Sequence, residues 1–288
     1  MTLKEWLQKA KSEKFAIGAF NVGNLETFKA IALAAQNKKS PVIIESSPGE
    51  TSFLGAENIV DLAKNYEQEY GIPIFINLDH AQDLDQCLKG IEAGYNLIHF
   101  DGSNLPLKEN LEIAKKVVEA AHKNGILVEG EIDHIEGSSE VHQGSAAQDL
   151  NKVSMTDPSQ AAKFVEESGI DILAAFFGNL HGIYSAGDEH LDLEKLQQIA
   201  QVVNCYLSLH GGSGIADEEV KEAIKYGVVK ININTELRQT FRENLEKALE
   251  ENPNEVAMYK LESPVVEDIR KVVEQKIEIF GSGGKING

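Results

Sequence analysis

Residues 74–103 read IFINLDHAQDLDQCLKGIEAGYNLIHFDGS. Ile74-Phe75-Ile76 is a short apolar run that passes into Asn77-Leu78-Asp79-His80, and Leu97-Ile98-His99-Phe100 is a second that passes into Asp101-Gly102-Ser103. Leu84 to Ala93, between them, has helical periodicity. A parallel strand covered on both faces reads as a continuous apolar run. The stretch is therefore a strand–helix–strand unit, with its polar groups collected where the strands end.

The unit repeats in both directions. Towards the N-terminus lie a strand over Phe15–Val22, a helix over Leu25–Lys38 and a strand over Pro41–Ile44. A helix from about Ala56 to Tyr70 follows. Towards the C-terminus come a helix over Leu107–His122, a strand over Ile126–Ile132 and a polar stretch, Asp133–Leu150, that breaks the rhythm. Helix Pro158–Ser168, strand Ile172–Phe177, helix Leu191–Val203, strand Tyr206–Leu209, helix Asp217–Tyr226 and strand Val228–Ile233 continue it. Helices over Glu236–Glu250 and Pro264–Ile279 end the chain. Eight such units in a chain of this length predict an α/β fold of the (β/α)8 TIM-barrel type. The prediction is a single domain over residues 1–288, with a mobile loop near 133–150 and an extra C-terminal helix at 264–279. The competing open, doubly wound sheet needs a Gly-rich turn after its first strand, and Asn21-Val22-Gly23-Asn24 is not one.

Composition narrows the partners. Twenty-seven Lys plus Arg against 46 Asp plus Glu give a net charge of -19, which argues against nucleic acid and anionic membranes as partners. A small anionic ligand stays open, because a site can be locally positive on an acidic protein. The two cysteines, Cys87 and Cys205, form no disulfide framework or zinc-ribbon spacing. The N-terminus lacks the apolar core of a signal peptide, and no apolar run nears the roughly 20 residues of a membrane span. A cytoplasmic protein is expected.

A barrel of this kind carries its chemistry at the C-terminal ends of its strands. Polar groups fall there throughout: Asn21, Ser46-Ser47, Asp79-His80, Asp101, Glu129 and Glu131, Asn179 and His181, His210, Asn232 and Thr235. His80, His181 and His210 each follow an apolar strand and precede Ala81, Gly182 and Gly211. One histidine in such a place is ordinarily a hydrogen-bonded loop residue. Three in matching contexts beside a carboxylate favour a three-nitrogen metal site with an open position. His99, His122, His134, His142 and His190 lack that context and are expected at the surface or in loops. The His210-Gly211-Gly212-Ser213-Gly214 turn, and Asn232 to Thr235 after the last strand, favour phosphate held by backbone N–H groups over two plain Gly-rich turns. Asp79 is a plausible proton carrier, or else orients a histidine.

These residues together resemble the class II (zinc-dependent) fructose-bisphosphate and tagatose-bisphosphate aldolases over nearly the whole chain. The likeness runs through Ile17-Gly18-Ala19-Phe20-Asn21, Leu78-Asp79-His80, Asp101-Gly102-Ser103, Glu129-x-Glu131 and Gly178-Asn179-Leu180-His181-Gly182. It continues in Leu209-His210-Gly211-Gly212-Ser213-Gly214-Ile215, Lys230-Ile231-Asn232-Ile233-Asn234-Thr235-Glu236 and Phe280-Gly281-Ser282-Gly283-Gly284-Lys285. The resemblance implies one catalytic zinc on His80, His181 and His210, with Glu131 on the metal path. It implies Asp79 as the acid/base for the C4 hydroxyl. Gly182, Gly211, Gly212, Ser213, Asn232 and Thr235 would hold the dihydroxyacetone phosphate half, Asn232 also touching the enediolate. Asn21 and Ser47 would line the substrate site, Ser47 at the aldehyde half. It further implies a sugar-phosphate substrate, most directly fructose 1,6-bisphosphate, a homodimer or homotetramer, and often a monovalent cation (Na+ or K+).

Three departures stand out. Where relatives have a Gly after the Asp-His pair, this chain has Ala81. An ungapped match of the 131–140 loop puts Ser139 where the family's catalytic Glu belongs, so Glu140 would serve as catalytic residue only with a one-place shift. The Asp-Pro-Arg motif that often binds the distal phosphate is replaced by Val256-Ala257-Met258-Tyr259-Lys260. Tagatose bisphosphate, a different aldehyde half, or a weakened sugar-phosphate-binding paralogue are the alternatives, and Lys230 is a candidate for local attraction of phosphate.

Overall fold

The structure, a computed structural model, describes residues 1–142, 144–146, 150, 154–184 and 190–287. In chain order the elements are α1 (Leu3–Glu13), β1 (Ile17–Asn21), α2 (Leu25–Lys38), β2 (Val42–Ser46), α3 (Pro48–Leu54), α4 (Ala56–Tyr70), β3 (Ile74–Ala81), α5 (Leu84–Ala93), β4 (Leu97–Asp101) and α6 (Leu107–His122). Then follow β5 (Leu127–Glu131), β6 (Gly137–Val141), α7 (Pro158–Ser168), β7 (Ile172–Ala174), β8 (His181–Ile183), α8 (Leu193–Val202), β9 (Tyr206–Leu209), α9 (Asp217–Lys225), β10 (Val228–Ile233), α10 (Thr235–Glu251) and α11 (Met258–Phe280).

Eight strands close a parallel barrel in the order β1-β10-β9-β7-β5-β4-β3-β2, the architecture expected from the alternation. Side chains two apart along a strand share a face, and this sets the interior. From bottom to top the inward residues run Phe75, Asn77, Asp79 on β3, then Leu97, His99, Asp101 on β4, and Leu127, Glu129, Glu131 on β5. In-register pairing holds His99 beside Glu129 and Asp101 beside Glu131. The bottom layer is apolar: Ile17, Ile43, Phe75, Leu97, Leu127 and Ile172 pack with Leu3, Trp6, Leu7 and Ala10 of α1. Helix α1, held by a Thr2–Glu5 capping box, thus plugs the N-terminal end. A larger shell of aliphatic and aromatic side chains fills the space between strands and outer helices.

The structure differs from expectation in two places near the mouth. Within the polar stretch after β5 lies the strand β6, which pairs in parallel with β8 as a small second sheet. Ile135, Ala146, Phe176, Leu180 and Tyr184 form an apolar cluster beneath it. The last helix begins at Met258, not Pro264: the proline sits inside it, in the second turn. No described helix is long and apolar enough to cross a membrane.

Candidate active site

Strand β3 delivers Asp79 and His80 side by side. Consecutive strand residues ordinarily point to opposite faces. His80 has a left-handed backbone, φ 54°, and the turn lets both residues line one cleft. The cleft also contains Asn21, Ser47, Asp101, Glu131, His181, Gly182, Gly211, Ser213, Asn232 and Thr235. Those positions come from βα ends all around the barrel. Gly211, φ 63°, is needed there because a Cβ would meet the Leu180 carbonyl oxygen.

The expected histidine triad is brought together. Ring centroids of His80 are 5.0 Å from His181 and 4.9 Å from His210, and those of His181 and His210 are 6.1 Å apart. Each ring has an acceptor on its far side. His80 Nδ1 lies 2.8 Å from Asp101 Oδ2, His210 Nε2 lies 2.8 Å from Glu129 Oε1, and His181 Nδ1 lies 3.1 Å from the Ile135 carbonyl. Those acceptors hold the ring protons and turn the other nitrogens inward. His80 Nε2 and His210 Nδ1 consequently face each other at 3.1 Å. A proton on His80 Nε2 or a metal ion shared by both nitrogens would hold them at that separation, and the Asn232 amide also reaches His210 Nδ1 at 3.3 Å. Nitrogens bound at about 2.0–2.1 Å in a tetrahedral zinc shell are roughly 3.3 Å apart.

Below the triad lies concentrated charge. Glu45, Asp79, Asp101, Glu129 and Glu131 are all buried, and the lysine buried among them is Lys230. Lys230 reaches Glu45 at 2.8 Å, Glu129 at 2.9 Å and Asn232 Oδ1 at 2.7 Å. Burial pushes the Glu45 carboxyl up to about 7, Asp79 adding to it and Lys230 opposing. Burial likewise opposes ionisation of Asp79, but the facing His80, His99, His210 and Lys230 outweigh it and hold this carboxyl well below its usual range. Asp79 is therefore an ionised base, oriented by the Asn21 amide at 3.1 Å and the Asn232 amide at 3.3 Å. Burial, then the neighbouring imidazoles, pulls His181 down to about 3; burial, with Lys230 and His99, pulls His210 down to about 4. Both are neutral imidazoles, the ligand form.

Other expected positions fall less evenly. Gly212 does not line the cleft: its N–H donates to the Asn232 carbonyl at 3.0 Å. Ser47 caps α3 and bonds Glu50 at 3.0 Å. Ser139 lines the cleft and accepts from the Asn234 amide at 3.3 Å, whereas Glu140 is exposed and outside it. Lys230 is a correction: fully enclosed by two glutamates, it cannot meet a phosphate. His99 is another. It is fully buried on β4, with its ring 4.5 Å from His80 and 4.8 Å from His210. Ligand atoms of Asp79, His80, His99 and His210 lie within 4.8 Å of one another. His134 also lines the cleft, and the His142 ring stacks on Tyr184 at 4.3 Å. His122 and His190 pair with Asp171 and Glu219 at the surface, as expected.

Arg238 went unnoticed in the sequence. It is the one Lys or Arg among the described cleft residues and bonds Glu50 Oε1 at 2.7 Å. Its signal was available: it lies one turn into the helix after β10, beside Asn234 and Thr235.

A TIM barrel with converging imidazoles and an ionised carboxylate at its mouth is the layout of a metal-dependent barrel enzyme. The comparisons narrow that class. Residues 1–285 match the family described as fructose-bisphosphate aldolase class-II, and the chain belongs to that family of aldolases, which are lyases. It is 40% identical to a fructose-bisphosphate aldolase of Streptococcus pneumoniae, covering 99% of each chain. It is 36% identical to a sulfofructosephosphate aldolase of Alkalicoccus urumqiensis, covering 98% of this chain and 96% of the other. The crystal structure of the YdjI aldolase from Escherichia coli K12 superposes with a TM-score of 0.83 at 32% identity, covering 99% of this chain and 98% of that one.

Proposed function

We propose that the protein is a zinc-dependent aldolase that reversibly cleaves a ketose 1,6-bisphosphate, with fructose 1,6-bisphosphate as first choice, into dihydroxyacetone phosphate and glyceraldehyde 3-phosphate. The observation that carries this is the set of inward-facing histidine nitrogens beside ionised Asp79. His80 Nε2, His210 Nδ1 and the ring nitrogen of His181 left free by Ile135 would hold the ion. The surplus of buried carboxylates over Lys230 supports a cation there. Bound zinc supplies a Lewis acid for the substrate's C2 carbonyl and an adjacent oxygen.

The remaining work falls to the chain. Asp79 accepts the proton of the C4 hydroxyl. The C3–C4 bond breaks, C4 becomes the aldehyde carbon, and the electron pair left on C3 spreads into the C2 carbonyl. The Asn232 amide, steadied by Lys230, donates to the developing negative charge. A proton returned to C3 completes dihydroxyacetone phosphate. We assign that step to the β6 strand, where Glu140 follows the cleft-facing Ser139; the assignment requires the strand to turn. Backbone N–H groups at Gly182, Gly211 and Ser213, with the open N-terminus of α10 at Thr235, would hold the C1 phosphate. Arg238 would meet the anionic end of the aldehyde half in place of the absent Asp-Pro-Arg motif. A terminal sulfonate is the second reading, favoured by the sulfofructosephosphate aldolase relative.

Cleavage of fructose and tagatose bisphosphates, of a 1-phosphate ketose and of a sulfonated analogue, each with and without chelator, tests the proposal. Chelator-sensitive cleavage of a bisphosphate is expected. Absence of chelator-sensitive cleavage of all four would overturn it.

A further inference from the structure

We propose that His99 is a positioning residue that holds the strained backbone of His80 and, through it, the geometry of the metal centre. The inference rests on the reading of the cleft as a metal site, but one arm of its test does not.

The left-handed φ at His80 is one of three among the described non-glycine residues, and the other two, Lys14 and Lys39, are helix C-caps. A left-handed L-residue inside a strand persists only when its surroundings over-determine it. The turn also takes the His80 N–H out of the β3–β4 ladder, whose register shifts between Leu78 and Ala81. A buried N–H without a partner is costly. The partner here is a side chain: His80 N–H donates to His99 Nδ1 at 3.2 Å.

His99 Nδ1 also lies 3.6 Å from Asp79 Oδ1, and its Nε2 faces Glu131 Oε2 at 3.4 Å. Neither of these last two buried atoms has a hydrogen-bond partner among the described residues, which leaves this contact between them. The His80 N–H is the nearer neighbour of Nδ1, at 3.2 Å against 3.6 Å to Asp79 Oδ1. His99 therefore stands behind the His80 backbone and Glu131 and steadies both. Its place on β4 allows this: His99 and Asp101 share the inward face, and Asp101 fixes the far side of the same His80 ring.

Two isosteric substitutions separate the two contacts. An asparagine amide oxygen can stand in for Nδ1, and a glutamine amide nitrogen for Nε2. His99→Asn should keep the backbone bond and lose the contact to Glu131, His99→Gln should do the reverse, and His99→Leu should lose both. In metal-free protein labelled with 15N-histidine, exchange of the His80 amide should be roughly tenfold faster in the Leu and Gln variants and near the parent rate in the Asn variant. Zinc affinity, by competition with a chromophoric chelator, should fall about 10–100-fold in His99→Leu and His99→Gln and stay within about threefold in His99→Asn. Parent-like exchange in His99→Leu, or an Asn variant as impaired as the Gln variant, would overturn the proposal. Should the Leu variant not fold, the Asn–Gln comparison decides it alone. Failure of the parent itself to bind zinc would count against the proposed function, while the exchange arm would still judge His99.

Discussion

Along β4, three inward side chains cross from one kind of chemistry to another. Leu97 belongs to the apolar layer that meets α1, while His99 and Asp101, two and four residues on, belong to the charged interior. Neighbouring strands make the same change: Phe75 to Asn77 to Asp79, and Leu127 to Glu129 to Glu131. The two ends of the barrel thus divide labour. The N-terminal end is an ordinary packed core, plugged by Trp6 and Leu7, and contributes stability. The C-terminal half carries buried charges whose desolvation costs several kcal/mol each even when paired, and it needs the stable end to persist.

Substitutions can break this contrast at either end. The largest expected effect is at Asp79. Asp79→Ala should lower kcat by about 10²–10⁴-fold while zinc content, measured by metal analysis, stays at the parent level. Turnover within tenfold of the parent would remove Asp79 from the acid/base role. Next is Lys230→Met, which leaves Glu45 and Glu129 without their cation and Asn232 without its donor. It should cost about 3–5 kcal/mol in chemical denaturation and lower kcat as well. Trp6→Ala, in the plug, should cost a similar 3–5 kcal/mol yet leave kcat and KM within about twofold at a temperature where the variant is folded. If the plug substitution impaired turnover as the Lys230 substitution does, the division between the ends would be wrong.

The barrel was legible because each strand and helix reported its own period, and helix α2 falls where the periodicity put it. Helix α1 was not read, since it was weighed only as a leader; its apolar face, Leu3, Trp6, Leu7 and Ala10, has helical spacing. The histidine triad was legible from local context: apolar strand, histidine, small residue. His99 was not, because that rule looks past the strand's end, and His99 lies inside the strand. The signal that reaches it is period two. Polar residues at i and i+2 occur at 77/79, 99/101, 129/131, 208/210 and 230/232, and each such pair marks an inward face. The same pattern shows Lys230 to be interior, not a surface cation. What no local pattern supplies is how Ser139 and Glu140 sit over the cleft. Their placement depends on β6 pairing with β8, more than forty positions away in sequence.

The smallest expected effect is a pH slope, and it belongs to the polar end alone. Folded His181 and His210 titrate near 3 and 4 against an ordinary value of 6.5. Between pH 6.5 and about 4 the unfolded chain therefore binds protons that the folded one refuses, so their contribution to stability is full above 6.5 and is lost as pH falls. Burial opposes charge on His80 and His99, but Asp79 at the first and Glu129, Asp79 and Glu131 at the second raise both, so these two work in the opposite direction and offset part of the slope. Glu45, pushed up to about 7, keeps in the folded state a proton that the unfolded carboxyl releases above pH 4.5, so it too offsets part of the decline in metal-free protein denatured at several values between pH 7 and 5. Stability should decline towards pH 5, by at most about 1.4 kcal/mol per pH unit for each of the two histidines. The double substitution His181→Gln, His210→Gln should flatten that decline, and Trp6→Ala should lower the whole curve without changing its slope. A slope untouched by the double substitution would mean that acid sensitivity arises elsewhere than in the buried imidazoles.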